Sequence, residues 1–191
     1  MSQHKHFIIH KPYGFLSQFI TNQKGVKKKL LSELDYDFPE GIMAIGRLDA
    51  DSEGLLLLTT DGKVSYHITS NKVEKEYYAQ VDGLITDEAI ASMQNGIEIG
   101  IEGKRYVTKP CKVSKIEDPN FPERSKKVRD DRHGPTCWIS IILREGKFRQ
   151  VRKMTSAAGF PTLRLVRVRV GNIHLDSLKS GEVVECENLM L

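Results

Sequence analysis

Arg47, Asp49, Asp51 and Glu53 fall within one short stretch, GRLDADSEGLLLLTTDG, and four leucines follow at once. Three kinds of chemistry suit such a cluster. Asp49, Asp51, Glu53 and Gly54 match the first half of a calcium-binding loop, but Thr60 stands where the loop needs a bidentate Glu. A strand-like run also follows where that motif requires a helix. An Asp-x-Asp magnesium site stands on the same footing. A solvated turn accounts for Asp51 and Glu53, but not for Arg47 and Asp49, which sit between two apolar runs. In an extended segment residues two apart point the same way. Arg47 and Asp49 are then expected to share a face, as an oriented carboxylate at the edge of a buried strand.

A second cluster lies in KFRQVRKMTSAAG, residues 147–159, which reads as a helix. Phe148, Val151, Met154, Thr155 and Ala158 make its packing face, and Arg149, Arg152, Lys153 and Ser156 gather on another. Lys147 and Arg149 would stand in the first turn, where the helix dipole disfavours cations by about 0.3–1 kcal/mol each. Such a placement calls for an anion nearby, either a phosphate or a buried Asp. The preceding stretch 118–135 has almost no apolar periodicity and carries Arg124, Lys126, Lys127, Arg129 and Arg132. A loop of that length inside a compact domain is usually functional or disordered.

The elements that must position these residues are mostly short. HFIIH (6–10), GIMAIG (41–46), LLLLTT (55–60), EKEYYAQVDG (74–83), TCWISIILRE (136–145) and TLRLVRVRVG (162–171) read as strands, the last with arginines along one face. VKKKLLSEL (26–34) reads as a lysine-faced helix, DGKVSYHIT (61–69) as a helix capped by Asp61, and TDEAIASMQNG (86–96) as one between Thr86 and Gly96. Residues 97–117 read as strands with tight turns. Frequent hairpin-like links favour an α+β fold with a largely antiparallel sheet over a doubly wound one. The 191 residues suit a single domain, with room for two lobes.

Composition narrows the class. The chain is 39% hydrophobic and 28% charged, as in ordinary globular proteins. Its apolar runs are far short of a membrane span, and MSQHKHFIIHKPYG lacks the core of a signal peptide. Cys111, Cys137 and Cys186 have no metal or disulfide spacing, so a cytoplasmic location is expected. Residues 104–153 hold 15 Lys+Arg against 6 Asp+Glu, a local +9 that exceeds the net +4 of the whole chain. A block of that kind suits a polyanion, nucleic acid above all.

Taken together, KPYG (11–14), GRLDADSEGLLLLTTDG (46–62), KEYYAQVDG (75–83), EGKFRQVRKM (145–154) and GFPTLRLVRVRVGNIHLDSLKSGE (159–182) resemble the pseudouridine synthases, in the branch that modifies ribosomal RNA at single uridines. The resemblance covers nearly the whole chain. It implies the pseudouridine synthase catalytic fold, a largely antiparallel mixed sheet flanked by helices and loops with an active-site cleft across it. Only about ten residues precede KPYG, so the small N-terminal RNA-binding domain of many relatives is expected to be absent.

The resemblance also implies roles. Asp49 becomes the catalytic acid, acting on a uridine flipped out of its helix or loop. Tyr77 is placed near the uracil, with Tyr78 in the core. Arg152 is expected to pair with Asp49 and keep it a carboxylate. Arg149 and Lys153 are expected to meet RNA phosphate, Arg47 to meet phosphate or help hold the target base's vacated place, Lys11 to shape a pocket rim, and Arg124, Lys126, Lys127, Arg129 and Arg132 to clamp RNA. No metal or cofactor is implied, and the expected partner is large-subunit ribosomal RNA or an assembly intermediate, bound by a monomer. A synthase acting on another ribosomal or transfer RNA site, or a non-catalytic RNA-binding assembly protein, are the alternatives.

Overall fold

A computed structural model describes residues 4–22, 25, 28–70, 73–129 and 131–189. In chain order the elements are β1 (His6–Lys11), β2 (Met43–Ile45), β3 (Glu53–Thr59), α1 (Gly62–Ser70), β4 (Lys75–Asp82), α2 (Asp87–Asn95), β5 (Glu98–Ile101), β6 (Lys104–Val107), β7 (Lys112–Ile116), β8 (Thr136–Leu143), α3 (Gln150–Ala157), β9 (Thr162–Val170), β10 (Ile173–His174) and β11 (Val183–Cys186). The fold is α+β, and the chain forms two compact units, Met1–Val73 with Arg167–Leu191, and Glu74–Val166. No described helix is long and apolar enough to cross a membrane.

In the first unit β3 is the spine. Leu55, Leu56, Leu57 and Leu58 are each no more than 1% exposed, so both faces of the strand are covered and alternation gives way to a continuous apolar run. β1 pairs antiparallel with β3 from His6↔Thr59 to Lys11↔Gly54, and with β11 on its other edge. β2 is antiparallel to the end of β3. Asp61 caps α1, its Oδ1 accepting from the Lys63 N–H at 2.8 Å. The helix expected over 26–34 does not extend through residues 28–30, and residues 26–27 lie outside the described ones. The Lys29 carbonyl accepts from the Leu16 N–H at 2.8 Å, and the Leu31 N–H donates to Gln18 at 2.8 Å. Only one 3-10 turn, Leu31–Glu33, remains. Pairing with residues 15–18 has overridden local helix propensity.

In the second unit the strands run β9-β4-β8-β7. β4 and β8 are antiparallel from Lys75↔Leu143 to Asp82↔Thr136, and β7 pairs antiparallel with the other edge of β8. β5 and β6 form a separate hairpin. Ala79, Val81, Ile139, Ile141, Met154 and Leu165 are central to the core. Thr86 caps α2 by accepting from the Ala89 N–H. Gly96 ends it at φ 101°, where a Cβ would meet the Thr108 carbonyl at 2.4 Å.

Two expectations fail here. α3 begins at Gln150, not at 147, so Lys147 and Phe148 precede it and Arg149 is its N-cap residue. Phe148 is 65% exposed and takes no part in the packing face, which Val151, Met154 and Thr155 supply. The arginines of β9 do not line one face either. Arg164 lies 5.5 Å from the Phe121 ring centroid, whereas Arg167, three residues on, donates through Nε to the Leu55 carbonyl at 2.7 Å.

Candidate active site

The loop that carries Asp49 is anchored on both sides. One hydroxyl, that of Ser17, accepts from the Leu48 N–H and donates to the Leu48 carbonyl, both at 2.9 Å. The Gly14 N–H donates to the Ala50 carbonyl at 2.7 Å, and the Ser52 N–H closes a turn onto the Asp49 carbonyl at 3.0 Å. Ser17, Leu48 and Ala50 are buried, while Asp49 between the last two is only partly so. A carboxylate between two pinned neighbours has little backbone freedom, yet keeps access to solvent. Arg47 is exposed and Asp49 partly so, and the Asp49 carbonyl opens the turn that the Ser52 N–H closes.

Lys11 lies in the same unit and is fully buried. Its ammonium donates to the Pro12 carbonyl at 2.9 Å and the Phe15 carbonyl at 2.7 Å. Burial pushes its pKa down to about 7, against the opposing pull of Glu53, Asp51 and Asp49 and with a further push from Arg167. Glu53 is itself 2% exposed and Arg167 3%. The acids of residues 49–53 therefore act on a buried cation in their own unit, which places Lys11 inside the support of the loop.

Tyr77 and Arg152 belong to the second unit. Tyr77 shares the β4 face of Ala79 and Val81, packs against the edge of that core and stays partly exposed. Tyr78 is on the opposite face, away from the core where it was expected, with its ring 6.2 Å from that of Phe121. Burial raises the Tyr78 phenol pKa, and Glu76 adds to the effect. Arg152, on α3, donates to the Thr162 carbonyl at 3.2 Å. The Lys153 ammonium donates to the Gly100 carbonyl at 2.8 Å. Arg149 holds a left-handed conformation, φ 53°, which a side chain adopts only at a cost.

The five cations of the 118–135 loop divide by use. Arg129 bridges to Asp82 at 2.9 Å and donates to the Gly134 and Pro135 carbonyls at 3.2 Å, so it fastens the end of the loop. Arg124 donates to the Lys126 carbonyl at 2.6 Å. Lys126, Lys127 and Arg132 have exposed side chains. The start of the loop is tied down by Phe121, 5.7 Å from the Trp138 ring, and by Arg164, which donates to the Pro122 carbonyl at 3.0 Å.

Ser17 and Arg167 were not singled out by sequence reasoning. Ser17 gives no signal beyond a small polar residue inside FLSQF. Arg167 gave one, a spacing of three residues from Arg164 that puts the two on opposite faces of β9. Among the described residues no group of three or more His, Cys, Asp or Glu is arranged to hold a metal.

Comparison with known proteins matches this architecture. The RNA pseudouridylate synthase family profile covers residues 5–157. A ribosomal large subunit pseudouridine synthase E from Vibrio parahaemolyticus is 40% identical over 98% of this chain and 76% of its own. One of the same name from Xanthomonas axonopodis pv. citri is 38% identical over 90% of this chain and 88% of its own. A crystal structure of a pseudouridylate synthase superposes with a TM-score of 0.76 at 27% identity, over 97% of this chain and 71% of that one. With a profile over most of its length and relatives of this identity and coverage, the chain belongs to the RNA pseudouridylate synthase family.

Proposed function

We propose that this enzyme converts one uridine of large-subunit (23S) ribosomal RNA to pseudouridine, with Asp49 as the catalytic acid. The reaction breaks the glycosidic C–N bond and joins the same sugar carbon to carbon 5 of the uracil. The hydrogen on carbon 5 leaves and a proton is taken up at nitrogen, so there is no net oxidation. A single carboxylate suffices, unlike the carboxyl pair of most glycosidases. Tyr77 is assigned to the uracil, through its ring and hydroxyl, and Arg152 supplies the cation that favours a charged acid. Arg47, Arg149, Lys126, Lys127 and Arg132 are assigned to phosphate.

The observation that carries the reading is the anchored loop. Leu48 and Ala50 are fixed on either side of Asp49, as a pre-positioned acid requires. The names of the relatives support the ribosomal target. Replacing Asp49 by Asn is expected to abolish tritium release from RNA labelled at carbon 5 of uracil while leaving RNA affinity within about threefold. Retained turnover would remove Asp49 from the chemistry. Mapping pseudouridine in total RNA from cells with and without the gene identifies the target. A missing modification in small-subunit or transfer RNA would replace the large-subunit reading.

A further inference from the structure

Two aromatic side chains stand largely exposed among the described residues, Tyr66 at 74% and Phe148 at 65%. Their surroundings differ. Phe148 sits on a braced segment of the second unit. Glu145 accepts from the Tyr106 hydroxyl at 2.6 Å, the Lys109 N–H at 2.9 Å and the Gln150 amide at 2.5 Å. The Gln150 side-chain oxygen in turn accepts from the Lys147 N–H at 3.0 Å. Phe148 is thus presented between a pinned residue and the left-handed Arg149. The backbone that displays this ring is held in one shape, although the ring is left to water.

The cations around it are specific. The Lys153 ammonium is 5.2 Å from the Phe148 centroid and is steadied by the Gly100 carbonyl at 2.8 Å. The Lys147 ammonium is 5.1 Å from the centroid of Tyr106. Since Phe148 remains 65% exposed, the Lys153 ammonium occupies only part of its ring. A braced aromatic face with the Lys153 ammonium beside it, and with Lys147 next to it in the chain, fits an unpaired nucleotide, whose base stacks on the ring while its phosphates meet the cations. An apolar protein partner would have no use for the two lysines.

We propose that Phe148 is a stacking platform for an unpaired base of the RNA substrate, with Lys147 and Lys153 contacting the adjoining phosphates. The proposal rests on the reading of the chain as an RNA-modifying enzyme, but its test reads binding and not turnover. The probes are a fluorescein-labelled single-stranded 12-mer of uridine and an RNA duplex of the same length, titrated with the full chain at fixed salt. For Phe148→Ala, affinity for the single strand is expected to fall on the order of tenfold, with duplex affinity within about twofold of the parent. Phe148→Trp is expected to restore single-strand binding. The slope of log affinity against log salt should be unchanged in both variants, because no charge is lost. Equal affinity of parent and Phe148→Ala for the single strand overturns the proposal. So does an equal loss on both probes. Failure of the pseudouridine reading would show differently, as no pseudouridine formed by the unaltered chain whatever its affinity.

Discussion

Lys11 shows how much a single buried cation can control. Its pKa in the folded chain, about 7, lies below the ordinary lysine value of 10.5. Between these two values the unfolded chain holds a proton that the folded chain has released. Stability therefore rises with pH across the window, and below about 7 the folded protein carries the full cost of a buried charge. Burial sets the window first, opposed by Glu53, Asp51 and Asp49 and reinforced by Arg167. From pH 7 to pH 9 the unfolding free energy from urea titration should rise by about 2 kcal/mol more in the parent than in Lys11→Met. Cys111, which burial pushes up to about 11, titrates above this window in both proteins. The same slope in both variants would show that Lys11 keeps its proton in the fold.

At the scale of elements, the only side-chain anchor described for the Asp49 loop on its Leu48 side is one hydroxyl. Ser17→Ala leaves the Leu48 N–H and carbonyl without their partner, at a cost of about 1–3 kcal/mol. It should lower single-turnover pseudouridine formation on the order of a hundredfold, with RNA affinity within about threefold of the parent. Unchanged turnover would mean the acid does not depend on this anchor. The loop also marks where the sequence stops being readable. β3, β4, β8 and β9 were legible because their apolar residues announce them, and α2 because Thr86 and Gly96 mark its ends. Asp49 and Arg152 drew notice as members of ordered motifs, and their roles stay part of the proposal. The Ser17 anchor was not, because it joins residues 31 positions apart through a side chain with no local pattern. The start of α3 was misread because the helical period of Val151, Met154 and Thr155 extrapolates smoothly back to Phe148. The left-handed Arg149 and the Gln150 bond to Lys147 stop the helix short of it. Residues 28–30 were misread for a related reason: their partners, residues 15–18, are invisible to a local window.

For the whole molecule the relevant quantity is the distribution of charge. Residues 104–153 carry +9, yet Arg129 pairs with Asp82 at the end of β4 and Arg124 bonds within its own loop, so the cations open to a polyanion are fewer than the count suggests. Replacing Lys126 and Lys127 together by Glu should weaken RNA binding several-fold near 0.1 M salt and flatten the log–log salt slope by about one to two. The thermal midpoint should shift by no more than about 2 °C, because exposed substitutions seldom change stability much. An unchanged salt slope would move the RNA contact elsewhere. One further consequence comes from the leucines of β3. A strand packed on both faces has little room to shift, and the backbone on either side of the carboxylate at its root is moored by bonds of its own. On the reading proposed above, an acid held in this way waits for its substrate, and the RNA has to bring the uridine to it.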